Sequence, residues 1–118
     1  MTFKISLVIP AWNAQKTISD CLLSAVTAEN SPSEIIVVDD YSSDDTVKIV
    51  NKLIIEYPLI KLIKLDRNEG PAAARDHGVK NSTGSIIFFT DSDTIILKNT
   101  FTACLNSIEE YKADAISG

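Results

Sequence analysis

Apolar residues recur along this chain in short blocks that alternate between a strand-like and a helix-like spacing. Lys4 to Pro10 (KISLVIP) reads as a strand ending at a proline. Beyond Trp12 and Asn13, residues 15 to 29 set Ile18, Leu22, Leu23 and Val26 on one helical face. Ser33 to Asp40 (SEIIVVDD) holds a continuous apolar run, the mark of a strand buried on both faces. Ser42-Ser43-Asp44-Asp45 offers several N-caps for a helix through Tyr57, with Val47, Val50, Leu53 and Ile54 facing inward and Pro58 ending it. Ile60 to Leu65 reads as a third strand and Asn68-Glu69-Gly70-Pro71 as a turn, followed by a helix from Ala72 to Lys80. Thr83-Gly84 is a further turn, Ser85 to Thr90 a fourth strand, Asn99 to Tyr111 a fourth helix, and Ala113 to Ser117 the start of a fifth strand.

Strand and helix alternating in this way predict an α/β fold of three layers, with a mostly parallel sheet joined by right-handed crossovers and helices on both faces. No linker, repeat or low-complexity tract divides the chain, so residues 1–118 read as one domain. In such a sheet all strand C-terminal ends share one edge, and ligands bind there, near the point where strand order reverses. That edge receives Trp12-Asn13 after the first strand, Asp39-Asp40 after the second, Asp66-Arg67-Asn68 after the third, and Asp91 and Asp93 after the fourth. With strand order 3-2-1-4, the tips of strands two and four flank strand one about 10 Å apart, the span of a nucleotide.

Asp39, Asp40, Asp91 and Asp93 on one edge repel one another, by about 3 kcal/mol per pair at ~6 Å and an effective dielectric near 20. Arg75 and Lys80 supply some compensating charge. A hard divalent cation, Mn²⁺ or Mg²⁺, answers the need better, because it takes one or two carboxylates and completes its shell with phosphate oxygens and water. Trp12 offers a flat face on which a base can stack, though taken alone it also suits a lid over the rim of the core. Asp44 and Asp45 read as turn and cap residues, and His77 beside Asp76 as a solvated helix residue.

Composition narrows the partners. A net charge of −5, from 11 basic and 16 acidic side chains, argues against a non-specific grip on nucleic acid or anionic lipid. No apolar run reaches the ~18 residues that span a bilayer, and no secretory cleavage pattern opens the chain. Cys21 and Cys104 fall on apolar faces of different helices and read as buried free thiols, as a reducing cytosol allows. The expected location is cytoplasmic, with peripheral attachment at the inner face of the membrane left open.

VIPAWN (8 to 13), IIVVDDYSSDDT (35 to 46), NEGPAAARDHG (68 to 78) and FFTDSD (88 to 93) occur in this order. Together they resemble the nucleotide-binding half of family 2 glycosyltransferases of the GT-A fold, over essentially the whole chain. The resemblance implies a metal-dependent transfer of a sugar, with inversion, from a nucleoside-diphosphate sugar to an acceptor hydroxyl on a glycan or lipid-linked molecule, as in polysaccharide biosynthesis. It implies that Pro10, Ala11, Trp12 and Asn13 line the base, that Asp40 accepts a bond from uracil and that Asp39 shapes the pocket. Arg75 would approach the nucleotide. Asp91 would reach the ribose or the metal's water shell, and Asp93 would bind the metal at the diphosphate.

Four positions depart from that pattern. Tyr41 and Asp45 stand where glycine is usual, Asp76 where asparagine is common, and Ala14 where an acid often follows Asn13. A bulky Tyr41 is expected to cover or narrow the base site. The acceptor site and general base of this family lie beyond the acidic motif, so the resemblance puts the base past Gly118, the last residue of this sequence. The chain is therefore expected to be truncated at its C-terminus, to bind donor, and to lack the base for turnover. A fifth strand with nothing after it leaves a sheet edge uncovered, which predicts self-association as a homodimer.

Other readings share parts of the pattern. A receiver-type signalling domain has an acidic pair, but after its first strand, whereas here a complete strand-helix unit precedes Asp39-Asp40. A haloacid-dehalogenase-type phosphatase shares Asp91-Ser92-Asp93, but it wants Thr or Val where Ile95 stands. A non-catalytic nucleotide-binding module merges with the transferase reading for a chain of this length.

Overall fold

A computed structural model describes the backbone of residues 3–117 and the side chains of residues 3–109. Four strands, β1 (Ile5–Ala11), β2 (Glu34–Asp39), β3 (Ile60–Lys64) and β4 (Ile86–Phe89), alternate with helices α1 (Ile18–Val26), α2 (Thr46–Glu56), α3 (Pro71–Lys80) and α4 (Thr100–Ser117). All three strand pairings are parallel and the order is β3-β2-β1-β4, as expected from the sequence. Ile9 stands opposite Val37, and Val37 opposite Leu62, so the apolar runs are in register across the sheet.

The pleat sends alternate residues to opposite faces. Leu7, Ile9, Ile35 and Val37 join Ile18, Leu22, Val50 and Phe101 in the main core, under α1, α2 and α4. Ile36 and Val38 face the other way and pack with Leu65 and Ala74 of the α3 side. Small residues let α3 press close: a Cβ on Gly78 would stand 2.3 Å from Cγ1 of Val8. Phe88 and Phe101 meet edge to face, ring centroids 5.4 Å apart, and so tie α4 to β4. Both cysteines are free, Cys21 buried and Cys104 half-buried. Among the described residues no helix is long and apolar enough to cross a membrane.

Three expectations change. The segment expected to begin a fifth strand is the end of α4, which continues to Ser117. From Thr100 to Ser117 there is neither glycine nor proline, and Ala113 and Ala115 favour helix, so nothing local stops it. Gly118, the residue past which the general base is expected, lies outside the described residues. Self-association loses the strand that motivated it, and the sheet's outer strands are β3 and β4. Helix α1 also starts later than expected, at Ile18, and ahead of it the N–H groups of Ala14 and Gln15 donate to Thr46 Oγ1 (2.8 Å) and Asp44 Oδ2 (3.2 Å).

The edge at the strand N-termini is closed by Glu34. Its carboxylate accepts bonds from Ser6 Oγ (2.6 Å), Lys61 Nζ (2.6 Å), and the Thr83 N–H (2.6 Å) and hydroxyl (3.0 Å). One acid thereby joins β1, β2, β3 and the turn into β4. Burial alone would push the Glu34 carboxyl up, but the bonds from Lys61, Ser6 and Thr83 outweigh it and hold it at about 2, against an ordinary 4.5. A depressed folded value means that this stabilisation is present above about pH 4.5 and is lost as pH falls through about 2. Glu34→Gln is expected to lower stability by about 2 kcal/mol at neutral pH. It should also flatten the loss of stability between pH 4.5 and 2, which urea unfolding across that range measures.

Candidate functional site

The C-terminal ends of β1, β2 and β4 converge on a pocket of about 640 Å³, a size that suits a small-molecule ligand. Pro10, Ala11 and Trp12 form its wall after β1, and Asp40, Tyr41 and Ser43 the wall after β2. Asn68, Gly70 and Pro71 bring in the start of α3, and Asp91 and Ser92 the loop after β4. Trp12 is 57% exposed and Tyr41 59%, and both line the pocket at its open side.

Asp40 is buried, and both its oxygens are engaged. Oδ1 accepts the Glu69 N–H at 2.7 Å and Oδ2 the Gly70 N–H at 2.9 Å, while its own carbonyl accepts from Asn68 Nδ2 at 3.2 Å. The acid thus sits against the first turn of α3, where free N–H groups and the helix dipole favour negative charge. Gly70, at φ +95°, makes the sharp entry and Pro71 starts the helix. Arg75 lies one turn further on the same face, its Nη2 3.8 Å from Oδ1 of Asp91. His77 Nε2 stands 3.5 Å from Oε1 of Glu69 on this exposed stretch.

Asp39 turns elsewhere. Its carboxylate accepts the Ser42 N–H (3.1 Å) and hydroxyl (2.5 Å), and it borders a separate cavity with Lys64 and Asp66. Asn13, at φ +48°, ties the β1 and β2 loops together: its side-chain oxygen accepts the Ser43 N–H at 2.8 Å, and its own N–H donates to Ser42 Oγ at 2.9 Å. Asp44 accepts from the N–H and hydroxyl of Thr46 and from the Gln15 N–H, which is the turn role expected of it. Of the residues picked out in the sequence, Pro10, Ala11, Trp12, Asp40 and Asp91 line the pocket. Asn13 and Asp39 shape its loops, while Arg75 meets Asp91 beside it. The sequence places Asn68 on this edge, whereas Ser43 and Pro71 read there only as cap and turn residues, and nothing in their pattern separates a pocket wall from an ordinary turn.

The crowding of four acids is therefore relieved in part by local bonds. Asp39 and Asp40 meet N–H and O–H donors, and Asp91 and Asp93 remain exposed. Lys80 ends α3, ten residues long and running away from the site, so it does not neutralise this edge. Asp91 and Asp93 leave their mark on the buried thiol of Cys21, which burial first and then the charges of Asp93 and Asp91 push up to about 11. No cluster of three or more acidic, His or Cys ligands occurs among the described residues, so a closed zinc-type centre does not fit. Two exposed carboxylates one residue apart do fit a Mg²⁺- or Mn²⁺-type cation that draws its remaining ligands from phosphate and water.

The family model of Glycosyl transferase family 2 matches residues 6–118. The chain is 36% identical over 118 residues to the poly(ribitol-phosphate) beta-glucosyltransferase of Bacillus spizizenii, covering 98% of this chain and 19% of that protein. It is 34% identical over 102 residues to an uncharacterized glycosyltransferase of Haemophilus influenzae, covering 86% of this chain and 41% of the relative. The crystal structure of Staphylococcus aureus TarS 1–349 in complex with UDP superposes with a TM-score of 0.81 at 33% identity, over 91% of this chain and 32% of that one. The chain thus spans between 19% and 41% of the length of these two sequence relatives.

Tyr41 adopts φ +65°, a left-handed conformation that suits glycine and strains a residue with a Cβ. Tyr41→Gly is expected to raise the free energy of unfolding by about 0.5–1 kcal/mol, the relief of strain less the added freedom of the unfolded chain. Tyr41→Ala, which keeps the strain, should give no such gain in the same urea titration.

Proposed function

Since the chain belongs to glycosyl transferase family 2, we propose that it binds the donor, a nucleoside-diphosphate sugar with UDP favoured, for transfer of the sugar to an acceptor hydroxyl. The observation that carries this reading is the pocket in which an exposed indole, a buried carboxylate and an acidic loop meet on one sheet edge. The UDP and UDP-GlcNAc complexes of the 33% identical TarS support the choice of UDP.

The base stacks on Trp12, with Tyr41 at the same mouth. Asp40, bonded to the Glu69 and Gly70 N–H groups at the entry to α3, keeps lone pairs for a ring N–H of the base. Asp91 faces the ribose and Arg75, and with Asp93 it would hold Mn²⁺ or Mg²⁺ at the diphosphate. A cation there supplies Lewis-acid stabilisation of the negative charge that gathers on the departing diphosphate. Arg75, 3.8 Å from Asp91, adds a fixed positive charge on the same side.

In an inverting transfer the acceptor oxygen bonds to the anomeric carbon as the bond to the diphosphate breaks, and a base takes the hydroxyl proton. The carboxylates lining the pocket are Asp40, engaged by two backbone N–H groups, and Asp91, beside Arg75. In this reading Asp40 is held by two backbone N–H groups and Asp91 serves the ribose and the cation, so we assign residues 1–118 donor binding and neither of these acids the role of base.

Titration calorimetry with UDP, with and without Mn²⁺, tests the reading. Trp12→Ala should weaken binding by about 1–3 kcal/mol in either condition. Asp93→Ala should bring the affinity in Mn²⁺ down to the metal-free value. Failure of UDP, GDP and TDP alike to bind in the presence of Mn²⁺ would remove the reading.

A further inference from the structure

The loop that carries the acidic pair is anchored at both ends by α1. At its start the Cys21 thiol donates to the carbonyl of Asp91 at 3.5 Å. At its end Ser24 Oγ accepts the N–H of Ile96 at 2.8 Å, while its own proton goes to the Cys21 carbonyl at 2.7 Å. Between these anchors the Thr94 N–H closes on the Asp91 carbonyl at 3.1 Å, making Asp93 the third residue of a four-residue turn. Ile96, 6% exposed, plugs into the core cluster with Cys21 and Leu22, whereas its neighbours Ile95 and Leu97 are exposed.

The carboxylates themselves have no such support. Asp91 and Asp93 are both exposed, and Arg75 reaches Asp91 only at 3.8 Å across solvent. Packing does not fix their rotamers, so the backbone beneath them has to set where they point. Magnesium-type sites demand near-octahedral geometry at about 2.0–2.1 Å and tolerate little looseness in their ligands. Serine is also an indifferent choice for the middle of a helix, where alanine serves better. Its bond to Ile96 accounts for its presence in α1.

We propose that Ser24 is a positioning residue for the metal-binding loop, holding the Ile96 N–H so that Asp91 and Asp93 face one divalent cation. This rests on the metal-assisted donor binding proposed above. A loss of Ser24 would leave the Ile96 N–H without its acceptor and let the turn shift relative to β4, while Trp12 and Asp40, carried by β1 and β2, keep their places.

The test compares UDP affinity with and without Mn²⁺ for the wild-type chain, Ser24→Ala and Ser24→Thr. In Ser24→Ala the enhancement by Mn²⁺ should fall about tenfold, the scale on which outer partners of metal ligands act, with metal-free UDP affinity unchanged. Ser24→Thr, which keeps a hydroxyl acceptor, should restore the enhancement. An alanine variant with the wild-type enhancement overturns the positioning role. So does one that loses affinity equally in both conditions, since that is the mark of general destabilisation. A wild-type chain that binds UDP with no response to Mn²⁺ takes down the metal-assisted reading and this inference with it.

Discussion

A carboxylate buried at the end of a strand must find donors, and Asp40 finds them in the N–H groups of Glu69 and Gly70. Those two bonds determine where the chain leaving β3 turns back across the sheet, and hence where α3 begins. Pro71 follows with the φ a first helical residue needs, and Arg75 arrives one turn later beside Asp91. One wall of the pocket, its basic neighbour and the polar group at its base all descend from the demand of a single acid. The demand is specific to a carboxylate, because an amide presents only one acceptor oxygen where two N–H groups wait.

The acids at this edge look equivalent as a string of letters and are not equivalent in space. Asp39 closes a local turn with Ser42, Asp40 reaches across to α3, and Asp44 holds Thr46 and Gln15. Each sits where backbone N–H groups converge, so its charge is met locally. Asp91 and Asp93 follow a strand whose outer side has no neighbour among the described elements, and they stay in solvent. Their unmet charge calls for fewer positive partners than four free acids would.

The parallel pairing of the strands, the two-sided burial of β2 and the gathering of tips at one edge were legible in the sequence, because each follows from continuous apolar runs separated by helical periods. The fifth strand fails because Ala-Asp-Ala-Ile-Ser is too short to show a period, and only helix propensity distinguishes it. The hydrogen-bond partners of Asn13 and Asp39 were not legible either. Whether an oxygen at a loop faces a ligand or a neighbouring N–H depends on how two loops dock, and no local pattern encodes that. The bond from Ile96 to Ser24 spans 72 residues and escapes any windowed reading for the same reason.

The two edges of the sheet divide stability and binding between them. At the strand N-termini Glu34 is buried among four donors, and Gly84 packs so close that a Cβ there would stand 2.5 Å from Ser6 Oγ. At the opposite edge Asn13 and Tyr41 hold left-handed conformations, two aromatic rings lie open, and two carboxylates are unsupported by packing. Strained backbone and exposed apolar surface persist only where the surrounding structure holds them. Here that holding comes from β1 and β2, buried along their length and clasped at their far ends by Glu34. The site can remain open and under-packed because the strands that present it are fixed elsewhere. A ligand that fills the pocket would then add contacts where the free protein has fewest.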